Sequence, residues 1–290
     1  LEKVINVRSL DAKKDYLKKY GLTRFIEFYF QHYHGYPCSF DNPQTLSEKI
    51  QWLKLHGKLE RFARYVDKFE VREFIKHSVG SEHVIPLLGL YSGFGGINFD
   101  SLPEKFVLKA THGSGWNEVV LNKRELDLAA LQQKCDNWLT TNFYDVSGEP
   151  NYRPLKGRII IETYIGEEGR DLKDYKFFCF HGEPLFIQVD SERFGGHKRD
   201  LFTTDWEPLA VQMLYPPSEE PLEKPLLLNE MTAIAKTLSK DFPLVRVDLY
   251  QTSNRIYFGE LTFTPGSGFI AYDPKEYDFY YGGQLDLSRY

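Results

Sequence analysis

LVRVDLYQTSNRIYFGELTF, residues 244–263, is the stretch on which the fold turns. Two runs of β-branched and aromatic residues, 244–250 and 256–263, flank the turn-forming Gln251–Arg255, and together they predict a β-hairpin. With the hairpin centred on Asn254, Asp248 lies opposite Glu260 and Arg246 opposite Thr262, because pairs symmetric about the centre face each other and side chains alternate. Val245, Val247, Leu249 and Leu261 fall on the other face and predict core. Two carboxylates about 5 Å apart repel unless a cation lies between them or water screens both. Magnesium suits that gap: it prefers oxygen ligands and takes one or two carboxylates together with phosphate and water. The same pattern also describes a solvated hairpin with a stray charge pair, and the hairpin alone leaves both readings open.

Upstream, FVLKATHGSG at 106–115 is a short apolar strand that carries Lys109 and runs into His112, Gly113, Ser114 and Gly115. Glycines there let backbone N–H groups approach an anion. A Walker A loop would lead into a helix, whereas residues 116–121 read as another strand, so the glycines form a hairpin tip. Such a tip is a flap over a triphosphate or a plain turn. GRIIIETYIG at 157–166 is an apolar strand ending in Glu162, Thr163, Tyr164 and Ile165, whose backbone could face an adenine edge. In DYKFFCF at 174–180, alternation places Asp174 and Lys176 on one face, a carboxylate suited to a ribose diol beside a cation suited to phosphate. An ordinary strand pair with polar ends fits those two segments as well. Lys68, in DKFEVR, reads by itself as a surface residue paired with Asp67 or Glu73. His32, His34 and His112 have no partner spacing that suggests a triad or a metal site.

The 290 residues are 42% hydrophobic and 27% charged, which describes a folded globular chain. At this length about 75% of the unfolded surface is buried, near the limit for a single core, so two lobes with a cleft are expected. Net charge is -5 and the basic residues are scattered, which excludes a nucleic-acid footprint. Cys38, Cys135 and Cys179 lack disulfide or zinc spacing. No apolar run approaches the roughly 20 residues of a transmembrane segment, no charged-then-apolar leader opens the chain at Leu1, and a cytoplasmic location is expected. Periodicity predicts helices over 11–33, 46–55 (capped by Thr45 or Ser47), 67–80, 125–140 and 229–240. Strands are expected at 106–109, 117–121, 158–165, 174–180, 184–189, 244–250 and 256–263. They come in adjacent pairs, so the class is α+β with mostly antiparallel sheets.

DKFEVREF, LPEKFVLKATHGSG, IIIETYIG, DYKFFCFHGEP, RVDLY and FGELTFTPGSG, in this order, resemble the ATP-grasp superfamily. They are most similar to its branch associated with teichuronopeptide and capsular-polysaccharide biosynthesis. The resemblance covers about residues 40–285, including NPQTLSEKIQWLK. It implies two α+β subdomains gripping ATP behind a helical N-terminal region at 1–66. The first part of the ATP-grasp module would occupy 67–105, the lid with its glycine flap 106–165, and the C-terminal subdomain with the metal site 166–290. By motif position, Lys68 and Lys109 would bind phosphate, with His112 opening the flap Gly113–Gly115. Glu162–Ile165 would form the adenine hinge and Asp174 would accept the ribose. Arg246 would stabilise charge on the transferred phosphoryl group, with Lys176 beside it, and Asp248 and Glu260 would hold Mg2+. The superfamily usually has Asn two residues after the glutamate. Thr262 stands there, which argues against a second magnesium site.

In this superfamily ATP usually phosphorylates a carboxylate, which an amine then attacks to give an amide. The expected partners are therefore a small-molecule amine and a carboxylate, a uronic acid or glycan-linked acid. Arg193 and Lys198, in SERFGGHKRD at 191–200, are candidates to bind that acid. A sugar kinase would use the same nucleotide site and release a stable phosphorylated product. A glycosyltransferase is disfavoured because the chain has no DxD motif.

Overall fold

A computed structural model describes residues 9–167, 172–192 and 196–290. Helix α1 (Leu10–His34) starts at the Ser9 cap and is broken at Gly21, whose φ of 78° and ψ of 172° no helix accommodates. The continuous helix expected over 11–33 is thus two segments. Helix α2 (Leu46–His56) opens with a capping box in which Thr45 accepts from the Glu48 N–H and Glu48 accepts from the Thr45 N–H, which selects Thr45 over Ser47. A short α3 (Ala63–Val66) precedes α4 (Val71–Val79), which stops at Gly80. The helix expected from Asp67 begins later because the Asp67 carboxylate accepts from the Phe69 and Glu70 N–H groups and holds a turn.

Strands β1 (Leu87–Tyr91), β2 (Phe106–Ala110), β3 (Asn117–Val120) and β4 (Ile159–Thr163) form one antiparallel sheet in the order β1-β4-β2-β3. Between β3 and β4 run α5 (Leu128–Thr140) and α6 (Tyr144–Ser147). Phe106, Leu108, Ala110, Ile159 and Ile161 bury one face of the sheet against Leu131, Cys135 and Trp138 of α5. The alternate residues, Lys109 and Glu162 among them, point the other way.

The second sheet contains β5 (Asp174–Phe180), β6 (Glu183–Ser191), β7 (Lys198–Thr203), β8 (Leu244–Gln251) and β9 (Ile256–Thr262). Its order is β7-β6-β5-β8-β9, antiparallel throughout. Phe177, Cys179, Val245, Val247 and Leu249 join Met231, Ala235 and Leu238 of α7 (Leu228–Ser239) in the main core. On the opposite face α8 (Glu276–Gln284) lays Tyr281 on Phe186, rings 4.2 Å apart, and Phe186 lies on Phe178 at the same spacing. The rest of that face is open. Five of the described α-helices and strands lie outside the expectations: β1 is interrupted at Gly89 by a register shift, β7 is short with polar Arg199 and Asp200, α8 carries two glycines among aromatics, and α3 and α6 are four residues each.

Candidate active site

The open faces of the two sheets enclose a cleft of about 260 Å³. Its floor is built by the β8–β9 hairpin, where Asp248 pairs with Glu260 and Arg246 with Thr262. The expected partners are found, although the turn differs. At the tip Gln251 faces Ile256 and Leu249 faces Phe258, so the hairpin is centred between Ser253 and Asn254. Continued without interruption, that register would set Asp248 against Gly259 and turn Glu260 to the core. A bulge at Gly259 absorbs one residue and returns Glu260 to the cleft face. A Cβ at 259 would stand 3.1 Å from both the Asp248 carbonyl oxygen and the Tyr250 ring, so glycine suits the bulge.

Cations surround this carboxylate pair. Arg246 donates from Nε to Asp248 Oδ1 at 2.6 Å and from Nη2 to Asp248 Oδ2 at 2.7 Å. The same Nη2 reaches Glu260 Oε1 at 3.1 Å, so one cationic group bridges both carboxylates. Lys176 donates to Asp248 and to Asp174, each at 2.5 Å. Lys68 Nζ lies 3.8 Å from Glu260 Oε2 and donates to the Gly113 carbonyl at 2.6 Å, while its backbone N–H donates to Thr111. Lys68 therefore ties the root of the β2–β3 loop to the hairpin, and the pairing with Asp67 or Glu73 is not formed. Lys109 enters from the other sheet and pairs with Glu162 at 2.7 Å; Arg72 holds the second Glu162 oxygen at 2.6 Å.

These contacts set the protonation states. Burial works against the charge of Glu260, but Lys68, Arg246 and Lys176 outweigh it and pull the carboxyl down to about 2. Burial likewise opposes charge on Lys176 and Arg246, and the neighbouring carboxylates raise both above their ordinary values. For Lys68 burial wins over Glu260 and the ammonium is lowered.

The remaining expected residues divide. Ser114, Gly115 and Asp174 line the cleft. His112 lies behind the flap, buried, with Nε2 2.9 Å from the Trp138 carbonyl oxygen. Thr163, Tyr164 and Ile165 do not line the cleft; the Thr163 N–H donates to Pro86 beside β1. Lys198 pairs with the exposed Glu219 at 3.5 Å, because alternation along β7 turns it away and brings Arg199 inward instead. Arg193 lies outside the described residues. Sequence reasoning missed Gln188, Arg199, Tyr250 and Pro265–Gly266, all of which line the cleft. The alternation in HKRDLF held the signal for Arg199, but β7 was not recognised as a strand.

The wall at Pro265–Gly266 is carried by the N-terminal helices. Lys54 donates to the Ser267 carbonyl and hydroxyl at 2.6 Å, Gln51 donates to the Ser267 and Gly268 carbonyls at 2.9 Å, and His34 Nε2 lies 3.0 Å from the latter. Ser267 holds a left-handed φ of 55° under these contacts.

Among solved structures, the chain is similar to D-alanine--D-alanine ligase from Bacillus anthracis, with 16% identity and a TM-score of 0.43 over 75% of this chain and 58% of that one. It is also similar to the ATP-grasp ligase PsnB complexed with a phosphomimetic variant of its minimal precursor, Mg and ADP: 10% identity, TM-score 0.43, 88% of this chain and 65% of that one. A RimK domain protein ATP-grasp from Sphaerobacter thermophilus DSM 20745 matches at 10% identity and TM-score 0.41, over 78% and 69%. The chain spans little more than half the length of the D-alanine--D-alanine ligases that it matches. No curated protein matches. The model of the TupA-like ATPgrasp family matches residues 48–286, from the helix that buttresses the cleft wall through both sheets to α8, and the chain belongs to that family.

Proposed function

We propose that this protein is an ATP-dependent carboxylate–amine ligase that forms an amide through an acyl phosphate. Its carboxylate would be a uronic acid or a peptide acid in surface-polysaccharide assembly. The observation that carries the reading is the Arg246 nitrogen within 3.1 Å of both Asp248 and Glu260 in a cleft lined also by Lys68, Lys109 and Lys176. Two carboxylates that already share one cation, all oxygen donors, fit a magnesium ion. Mg2+ bound there with ATP would supply charge neutralisation of the triphosphate.

The chain's own residues do the rest by position and charge. Lys68 and Lys109, which line the cleft, would hold phosphate oxygens beneath the flap, and Asp174, which also lines it, would accept from the ribose. Arg246 and Lys176, kept protonated by their carboxylates, offset the charge that builds up as the acceptor carboxylate oxygen bonds to the γ-phosphorus and ADP leaves. The amine then attacks the acyl carbon, phosphate departs with the C–O bond electrons and takes up the proton that the amine nitrogen releases, and the amide remains. No described cysteine suits covalent catalysis, since burial raises the thiols of Cys38, Cys135 and Cys179.

Incubation with ATP, Mg2+ and panels of uronic acids and amines tests the reading. ADP and phosphate should form together only when both substrates are present, and hydroxylamine should trap a hydroxamate. ADP with a stable phosphosugar, no free phosphate and no hydroxamate would instead establish a kinase.

A further inference from the structure

The cleft extends beyond the residues assigned to the nucleotide. The second sheet shows five strands to it. Asp248 and Glu260 stand on β8 and β9, while Gln188 and Arg199 stand on β6 and β7 at the far side. Strands lie about 4.8 Å apart, so Arg199 is rooted about 14 Å from Asp248, three strands away. Phe178, Met213 and Ile270 also line the cleft, Met213 with its carbonyl oxygen 3.4 Å from Arg199 Nη1.

The guanidinium of Arg199 is held in one plane. Nε and Nη2 donate to the two oxygens of Asp190, at 2.7 and 3.2 Å, and Gln188 braces Asp190 Oδ2 at 3.0 Å. Tyr215 lies 5.0 Å from its central carbon. Asp190 thus occupies one of the two edges on which guanidinium binds carboxylate in a fork. On the other edge, Nη1 with Nη2, the one further contact among the described residues is from Nη1 to the Met213 carbonyl at 3.4 Å. A residue serving structure alone would be satisfied by Asp190, and a buried ion pair at a cleft floor is weak support for a fold.

We infer that Arg199 anchors a second carboxylate of the acceptor, on the far side of the cleft from the carboxylate that reacts, so that the substrate is at least a dianion. This rests on the ligase reading above. Gln188, fixed by Asp190, would offer its amide oxygen to a neighbouring hydroxyl or N–H.

Calorimetry on protein saturated with Mg2+ and a non-hydrolysable ATP analogue, titrated with digalacturonate and glutarate against galacturonate and butyrate, tests it. Wild type should bind at least one dianion about tenfold or more tighter than its monoanion counterpart. Arg199→Met should abolish that preference, and Arg199→Lys, which keeps the charge and loses the fork, should restore it only in part. If Arg199→Met leaves Asp190 unpaired and fails to fold, Arg199→Met with Asp190→Asn removes both charges and must show the same loss. Equal binding of dianions and monoanions by wild type, or a preference that survives in the variants, overturns the inference. Binding of the nucleotide analogue is read separately: its absence would sink the ligase reading, and its presence without dianion preference sinks only this one.

Discussion

Asp248 and Glu260 are opposed residues with unequal surroundings. The Asp248 side chain is 2% exposed and holds Arg246 and Lys176, whereas that of Glu260 is 28% exposed. Asp248→Asn and Glu260→Gln should each lower turnover by at least about a hundredfold, since both are assigned to the same metal. Both should also lower the melting temperature: Asp248→Asn leaves Arg246 and Lys176 short of a partner, and Glu260→Gln removes a carboxylate that Lys68, Arg246 and Lys176 hold down to about 2. Equal activity of either variant and wild type would remove the metal assignment. Legibility differed residue by residue. Lys109, Asp174, Lys176 and Arg246 were found because each sits in a run whose alternation is plain, while Arg199 was missed because its strand is short and half polar.

At the scale of elements, the join between α2 and α8 carries a pH dependence. Asp278, on α8, is buried and accepts from the Ser47 N–H in the first turn of α2 at 2.9 Å. Burial pushes its carboxyl up to about 6 from 3.8. The folded state therefore keeps a proton that the unfolded chain loses above pH 4. The contribution to stability is full below about pH 4 and is lost as pH rises through 6, a change of about 3 kcal/mol. Asp278→Asn keeps an acceptor and has no charge to bury, so urea unfolding from pH 4 to 7 should show a smaller decline for the variant than for wild type. Parallel curves would show that Asp278 does not titrate in this way. The hairpin teaches a related lesson at this scale. Its alternation identified the pair Asp248 and Glu260, but the one-residue bulge at Gly259 that makes the pairing possible has no periodic signature.

For the whole molecule, the two sheets face each other across one cleft, and a ligand spanning it should stiffen both. Mg2+ with ATP should raise the melting temperature, and GTP or a UDP-sugar should raise it far less, because binding to the native state alone stabilises it by mass action. Preferential stabilisation by a UDP-sugar would move the reading to a glycosyl transferase. Among the described residues no helix is long and apolar enough to cross a membrane.

The sequence by itself determined the class of the fold, most of its helices and strands, and the pairing at the heart of the cleft. Those properties follow from local periodicity, caps and turn residues, which act over a few positions. Only the tertiary structure decided that β4 inserts between β1 and β2, that Lys54 and Gln51 of α2 hold the Ser267 loop more than 200 residues away, and that Arg199 rather than Lys198 faces the cleft. Such contacts join segments remote in the chain, and their geometry depends on how whole elements pack, which no stretch of residues encodes alone.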